Sequence, residues 1–317
     1  MIVTDKQELR RCVKQAVRRA QVAETLLRFD VQSGSLGVDA LMAALPPRPG
    51  TPFGMDGAAV YAALGALELP ARDLASARSM QESYDRNAWL REVLDALRAQ
   101  RVLAVVPVGQ AGNAAFEDDR ISAMIEVEAA LFAPGRYGIP FEAAARQLAG
   151  AVRACGARDV LAEGLGMDAL RHTVLPVCEE ERCVLHVSLE GEAQVRTLDA
   201  LLHDFPGVRA VAWAQGEAEA LLIETAARQT GLLVRLTEMN HLPLALEKLG
   251  CRFLPYASGA ALPELMLGRW LVAREQLWPL LADAYLPLAR AGYPLDSQRI
   301  ESDVNDLLTG SLKALYL

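Results

Sequence analysis

The chain has 317 residues, 52% of them hydrophobic, and a formal net charge of −8. This length and composition allow a large buried core, and the acidic balance argues against a partner that presents a phosphate backbone, such as nucleic acid. The basic residues clustered in 10–19 have helical spacing. We interpret them as the exposed face of an amphipathic surface helix.

The sequence has no feature of a membrane or secreted protein. Charged residues begin at Asp5, and no stretch of eighteen uninterrupted apolar residues occurs. The five cysteines are odd in number and scattered, which is typical of a reducing compartment. We therefore expect a soluble, cytoplasmic protein without membrane contacts.

The first third of the chain predicts one strand followed by helices. An apolar run at 22–31 indicates the strand, and helices are predicted at 38–45, 58–67 and 85–99. Prolines and glycines concentrated in 46–57 make regular structure improbable there.

The rest of the chain alternates apolar strand-like runs with amphipathic helices. Together with 22–31, the runs number eight and fall at 102–108, 121–127, 159–165, 183–189, 208–214, 232–237 and 251–257. Eight strand–helix units are the count of a closed (β/α)8 barrel. We predict one barrel domain over 1–317, with a helical insertion at 38–99 and C-terminal helices at 263–317. A doubly wound open sheet is the alternative, because a closed and an open parallel sheet have the same sequence pattern.

The stretch 251–285 joins a short apolar strand, a loop of small residues and a long helix. In that helix Leu265, Trp270 and Leu277 recur at helical steps, while Arg274 and Glu275 fall between them. This spacing predicts one packed face and one solvent-exposed face.

Four segments resemble the uronate isomerases, the sugar-acid isomerase branch of the amidohydrolase superfamily. The stretch from HLPLALEKLGCRFLPYASG to SLKAL, 241–315, resembles the carboxy-terminal end of that family. MDALRHTVLPVCEEERCVLHVSLEG (167–191) resembles its strand-five region, DDRISAMIEVEAAL (118–131) its third strand, and QELRRCVKQAVRRAQVAETLLRFD (7–30) its first helix and strand. The resemblance implies a TIM barrel of the metal-dependent hydrolase type.

At the positions that this resemblance assigns to metal ligands, the sequence departs from the family, which implies that the metal site is absent. The two first-strand histidines that hold a divalent metal in the family fall on Leu26 and Arg28. The metal-binding aspartate of the last strand falls in the loop at 256–259, and the substrate-binding arginine of strand three falls on Glu126. We therefore expect no cofactor; a divalent metal held at a relocated site is the alternative.

The remaining candidates for chemistry are one histidine and several strand-end carboxylates. His186 lies midway along a predicted strand, and a histidine facing a barrel interior can act as an acid or base. Its alternative role is that of a hydrogen-bonded wall residue. Glu126 and Glu163 lie near the ends of predicted strands, where parallel strands present their side chains to one edge. We take these three residues as candidate catalytic groups, although strand-end glutamates also cap helices or face solvent.

Further side chains near the predicted strand ends are candidates for ligand binding. They supply charge, hydroxyl groups and aromatic faces, and they are Arg28, Glu128, Glu190, Trp213, Tyr256 and Ser258. A tryptophan such as Trp213 is equally well explained as part of the barrel core.

These observations lead to three hypotheses. The first is a barrel of uronate isomerase type that has lost the metal-dependent activity and binds a small molecule or has a structural role, that is, a pseudoenzyme. The second is a divergent isomerase or hydrolase that acts on a sugar acid or a related small molecule. The third is a homo-oligomer formed through Trp270, Trp278 and Tyr285 of the C-terminal helices.

Overall fold

A computed structural model gives the fold and describes residues 5–28, 38–43, 55–70, 73–114, 116–128 and 140–316. The predicted end of the first strand at 29–31 and most of the segment rich in proline and glycine lie outside the described residues. The chain divides into two compact units, of which the first comprises 1–102, 116–121 and 257–309, and the second comprises 103–115, 122–256 and 310–317.

Eight strands form one sheet in the described part of the chain, in the order β1 to β8, so that each strand neighbours the next one along the chain. The strands are β1 (Val22–Leu27), β2 (Ala99–Pro107), β3 (Ile121–Glu126), β4 (Asp159–Ala162), β5 (Val184–Ser188), β6 (Arg209–Trp213), β7 (Leu232–Arg235) and β8 (Phe253–Leu254). All eight predicted strands are thus present, and the α/β class is confirmed. Closure of the sheet into a barrel stays a prediction.

Helices precede β1, follow β8 and occupy most of the intervals between strands. They are α1 (Lys6–Arg19), α2 (Val38–Ala43), α3 (Met55–Ala66), α4 (Leu74–Glu82), α5 (Arg86–Leu97), α6 (Phe141–Cys155), α7 (Met167–Ala169), α8 (Leu175–Glu181), α9 (Glu192–Asp204), α10 (Glu217–Ala226), α11 (Leu242–Leu249), α12 (Pro263–Arg290), α13 (Ser297–Asn305) and α14 (Ser311–Ala314). Within the described ranges, no helix is long and apolar enough to cross a membrane.

In the first unit, α1 is the amphipathic helix that its spacing predicts. The side chain of Asp5 caps it by accepting a hydrogen bond from the amide of Glu8 at 3.4 Å. Leu9, Val13 and Val17 are buried at helical intervals, while the basic residues lie on the exposed or half-buried positions between them. The basic cluster is therefore the exposed face of a packed helix, as predicted.

The long helix α12 packs closely against α3 and buries the face that the sequence predicts. Leu265, Trp270 and Leu277 are buried, and Trp270 is only 1% exposed. A Cβ atom at Gly268 would overlap the backbone of α3, so the approach of these two helices requires glycine. Trp270 is inaccessible to a partner subunit because its own chain covers it, whereas homo-oligomer formation itself stays a prediction.

Arg274 is an exception to the predicted pattern of α12. The spacing places it on the solvent side, but its side chain is buried. Its guanidinium donates to the carbonyl oxygens of Ala20 at 2.8 Å and Leu97 at 3.2 Å, where α1 and α5 end. Carbonyl groups at a helix C-terminus carry partial negative charge, so they compensate the buried cation. Burial lowers the pKa of Arg274 to about 10.

In the second unit, parallel pairing fixes which side chains share a face of the sheet. Leu161 of β4 pairs with His186 of β5, which pairs with Val211 of β6. Since alternate residues of a strand point to opposite faces, Asp159 and Trp213 lie on the same face as these three. This alternation positions the polar side chains described below.

The C-terminal residues of the chain bind the amino ends of these strands. The hydroxyl of Tyr316 donates to Asp159 Oδ1 at 2.5 Å, and Arg209 donates to the carbonyl oxygen of Leu315 at 2.6 Å. The amino ends of β4 and β6 are thereby covered, which leaves the carboxyl ends as the edge at which parallel strands usually present functional groups.

Candidate functional site

A stacked cation and aromatic ring stand at the carboxyl ends of β6 and β7. Trp213 is the last residue of β6 and Arg235 the last residue of β7. The guanidinium carbon of Arg235 lies 3.4 Å from the centroid of the Trp213 ring. Both side chains are buried, with exposed fractions of 6% for Arg235 and 7% for Trp213. The ring therefore stabilises and orients the cation in a partly desolvated position.

A buried carboxylate binds the segment that follows Arg235. Glu219 lies in the first turn of α10, and its side chain is fully buried. Its Oε1 accepts hydrogen bonds from the amide of Thr237 at 2.5 Å and from the hydroxyl of Thr237 at 3.0 Å, and its Oε2 lies 2.5 Å from Nδ1 of His241. Glu219 thus ties α10 to the segment that follows β7.

The loops after β6 and β7 are joined by further hydrogen bonds. The hydroxyl of Thr237 lies 2.7 Å from the carbonyl oxygen of Ala214, and the amide of Gly216 donates to Glu238 Oε1 at 3.0 Å. Gly216 has φ +58°, a backbone conformation that favours glycine. The bond from the Gly216 amide, with smaller contributions from Asn240 and His241, lowers the pKa of Glu238. This edge is therefore rigidly connected and carries separated positive and negative groups.

The side chain of His186 is not directed towards the carboxyl ends of the strands. Its Nε2 lies 2.9 Å from Asp159 Oδ1, and Asp159 also accepts the hydroxyl of Tyr316. His186 is 1% exposed and Asp159 is fully buried. The wall-residue alternative describes this contact, because the histidine is directed towards the amino end of β4 and is covered there.

The other two candidate catalytic residues lie at the end of β3 and just after β4. Glu126 pairs with Leu161, which in turn pairs with His186, so two strand spacings, or roughly 10 Å, separate Glu126 from His186. Glu163 follows the end of β4, where the amide of Gly164 donates to Ser188 Oγ at 3.2 Å. Both glutamates are half-buried. The strand β4 therefore lies between Glu126 and His186.

The predicted ligand residues of the second unit differ in their exposure. Glu128 and Glu190 are exposed, and the backbone amide of Glu190 donates to Gln194. Tyr256 is half-buried beyond β8. Trp213 contacts the guanidinium of Arg235, a charged group that can bind an anion.

In the first unit, a carboxylate that the sequence analysis did not single out occupies the centre of β1. Glu24 is fully buried. Its Oε1 accepts the amide of Leu26 at 2.8 Å, and its Oε2 accepts the amide of Ser258 at 2.9 Å and the indole Nε1 of Trp270 at 2.8 Å. The amide of Arg28 donates to the carbonyl oxygen of Ala260 at 2.8 Å. Glu24 and Ser258 are thus structural partners that join β1 to the segment before α12.

Metal ligation requires several suitable side chains in one place. No group of three or more histidine, cysteine, aspartate or glutamate side chains with that arrangement is present among the residues that the structure describes. Cys178 and Cys183 are both buried, and burial raises the pKa of Cys183 to about 12. Their thiols are therefore protonated at neutral pH.

Arg235 and the contact between Glu219 and His241 were not predicted from the sequence. A signal for Arg235 was present, because a charged residue in the otherwise apolar run 232–236 demands a partner when the strand is buried. Nothing in the sequence indicates that Glu219 and His241 are neighbours, since they belong to successive strand–helix units.

The fold defines an α/β protein whose eight-stranded parallel sheet is consistent with a TIM-like barrel. No protein-family model and no curated protein matches the sequence. Among solved structures, the chain is similar to a uronate isomerase from Bacillus halodurans C-125, with a TM-score of 0.82 and 15% identity over 99% of this chain and 97% of that chain. It is also similar to the uronate isomerase from Thermotoga maritima, with a TM-score of 0.66 and 8% identity over 100% and 98% of the two chains. At these identities the likeness establishes the fold.

Proposed function

We propose that this protein binds a small carboxylate-bearing molecule of the sugar-acid class at the carboxyl ends of β6 and β7, and that it has lost the metal-dependent activity of the uronate isomerase lineage. The observation that carries the proposal is the stack of Arg235 on Trp213 at this edge. A guanidinium forms paired hydrogen bonds with a carboxylate, and partial desolvation strengthens them. A neighbouring tryptophan face also suits the apolar face of a sugar ring.

The fold supports the choice of ligand class. The two structural relatives are uronate isomerases, and a uronate is a sugar that carries a carboxylate. In parallel α/β folds, ligands bind at the carboxyl ends of the strands. The position of Arg235 agrees with this rule.

The residues at the positions that the sequence resemblance assigns to metal ligands do not fit a divalent cation. Leu26 offers only hydrocarbon, and Arg28 carries a positive charge. Glu24 lies two residues before Leu26 on the same strand, and its two carboxylate oxygens already accept hydrogen bonds from three N–H groups. Zinc requires nitrogen, sulfur or carboxylate ligands in a converging set. We therefore assign no step to a metal.

A binding experiment with matched variants tests the proposal. Isothermal titration calorimetry with D-glucuronate and D-galacturonate, in the presence of EDTA, should show binding, whereas D-glucose, which lacks the carboxylate, should not bind. Arg235→Gln should weaken binding at least about tenfold, because removing one partner of a charged hydrogen-bonded pair costs more than 1.4 kcal/mol. Arg196→Gln is the control, since Arg196 is a 71% exposed arginine of the same unit.

Two further variants keep the test decisive. Arg235→Lys preserves the charge at this position. Circular dichroism of this variant monitors folding, so a loss of binding can be distinguished from a loss of folding. Arg28→Gln tests whether that guanidinium holds the carboxylate instead. Unchanged affinity in Arg235→Gln, or turnover of a uronate with stoichiometric bound zinc or manganese, would refute the proposal.

A divergent isomerase or hydrolase that acts on the same class of molecule is the second candidate. The observation that favours it is the contact between the buried Glu219 and His241, which Thr237 links to the end of β7. A carboxylate that orients a histidine is a common element of acid–base catalysis.

A further inference from the structure

His241 is held in one orientation by a carboxylate that has no exposed surface. The side chain of Glu219 is fully buried, and its Oε2 lies 2.5 Å from Nδ1 of His241. The other oxygen of Glu219 is occupied by the amide and hydroxyl of Thr237. Because the Thr237 amide and the His241 ring both bind this carboxyl group, neither Glu219 nor the imidazole ring can rotate without breaking a hydrogen bond.

This contact selects the tautomer of the neutral imidazole. A carboxylate accepts hydrogen bonds, so Nδ1 of His241 carries the proton and donates it to Glu219. Nε2 is then the basic nitrogen. The side chain of His241 is 20% exposed, and within the described ranges no hydrogen bond to Nε2 is formed. An oriented base on a partly exposed side chain is the arrangement that proton transfer requires.

His241 is linked to the proposed anion-binding pair through Glu219 and Thr237. Thr237, which binds Glu219, is two residues beyond Arg235, and its hydroxyl contacts the carbonyl oxygen of Ala214, the residue after Trp213. The chain thus passes from the cation–aromatic stack to the Glu219–His241 pair through one hydrogen-bonded threonine. Both features lie at the same ends of β6 and β7.

We propose that His241 is a metal-independent acid–base residue that removes a proton from the carbon next to the carbonyl group of a bound sugar acid, with Glu219 as its positioning residue. In this step Nε2 takes the proton, the carbon–hydrogen bond breaks, and its electron pair forms an enolate with the carbonyl oxygen. The imidazolium then returns a proton to the carbon skeleton, so the step is balanced without an oxidant or reductant. The substrate class rests on the proposed function.

Hydrogen exchange measures this step directly. We incubate the full-length protein with D-glucuronate or D-galacturonate in D2O in the presence of EDTA and follow loss of the proton next to the carbonyl by NMR. The wild-type protein should catalyse exchange. His241→Ala should lower the rate at least about 100-fold, in line with the usual contribution of a general base, and free imidazole should restore part of it. His203→Gln is the control, since His203 is an exposed histidine of α9 in the same unit.

Glu219→Gln distinguishes a positioning role from a purely structural one. The amide keeps the shape of the side chain but can present its NH2 group to the ring, which favours the opposite tautomer. Nitrogen-15 NMR of the histidine ring should show the proton on Nδ1 in the wild-type protein and a redistribution towards Nε2 in Glu219→Gln. The exchange rate should fall by roughly 10–100-fold while sugar-acid affinity is retained.

The outcomes separate the two proposals. Binding without exchange, exchange that survives His241→Ala, or a proton on Nε2 in the wild-type protein overturns the acid–base role and leaves the binding function standing. Absence of sugar-acid binding overturns the proposed function, and this substrate class for His241 with it. Exchange that is lost in His241→Ala and recovered with imidazole supports the inference, because a structural clamp would not be rescued.

Discussion

Glu24 should be essential for stability because it satisfies three buried N–H donors with one carboxylate. We consider Glu24→Gln, which keeps the size of the side chain. If the amide oxygen takes the position of Oε2, it still accepts from Ser258 and Trp270, but its NH2 group then faces the amide of Leu26. One buried donor is left unsatisfied and the other two bonds lose their charge assistance.

The magnitude follows from these contacts. An unsatisfied buried donor costs about 1–3 kcal/mol, and two hydrogen bonds that change from charged to neutral acceptors lose about 1 kcal/mol each. The expected loss is therefore about 3–5 kcal/mol of the free energy of unfolding, a large part of the about 5–15 kcal/mol available to a typical protein. The substitution should lower the midpoint of thermal unfolding by roughly 5–8 °C.

Urea denaturation followed by circular dichroism, together with calorimetry, measures this loss. Thr25→Val is the matched control, because the hydroxyl of the neighbouring residue is buried and forms no hydrogen bond to the described residues. Its removal should leave stability unchanged or raise it by up to about 1 kcal/mol. A loss below about 1 kcal/mol in Glu24→Gln, or equal losses in both variants, would refute this account of β1.

Three further predictions concern packing, charge and thiol reactivity. Gly268→Ala should lower the unfolding temperature because its Cβ would overlap the backbone of α3. Gly150→Ala in α6 should raise the unfolding temperature slightly, because a Cβ there meets nothing within 4 Å. Equal effects of the two substitutions would contradict the packing argument. Hydrogen bonding from Arg120 is the main cause that lowers the pKa of Asp118. The pair therefore stabilises the fold at pH values above the ordinary aspartate pKa of about 3.9. This stabilisation is lost as the pH falls through the lowered pKa of Asp118. Arg120→Gln should therefore be less stable than the wild-type protein at pH 7 in urea titrations, with the difference shrinking in acid, and a difference independent of pH would contradict this. Because burial raises the pKa of Cys183 to about 12, mass spectrometry should find Cys183 unmodified by iodoacetamide at pH 8 until the protein unfolds, and rapid labelling of the native protein would disagree.

The prediction from sequence was accurate for elements and weaker for the site. Periodicity located all eight strands because buried parallel strands are short apolar runs between amphipathic helices. It also located α12 and its packed face, but it placed Arg274 in solvent, because spacing alone does not show that two helix ends supply carbonyl oxygens to a buried guanidinium. His186 was recognised as a histidine inside the sheet, whereas its partner Asp159 was not.

The sequence by itself determined the α/β class, the alternation of strands and helices, and the resemblance to uronate isomerases, because these depend on local periodicity and on order along the chain. Only the tertiary structure decided which polar groups meet. Arg235 and Trp213 belong to different strands, and Glu219 and His241 follow different strands. Their contacts arise from the parallel register of β6 and β7, which brings residues about twenty positions apart into hydrogen-bonding distance.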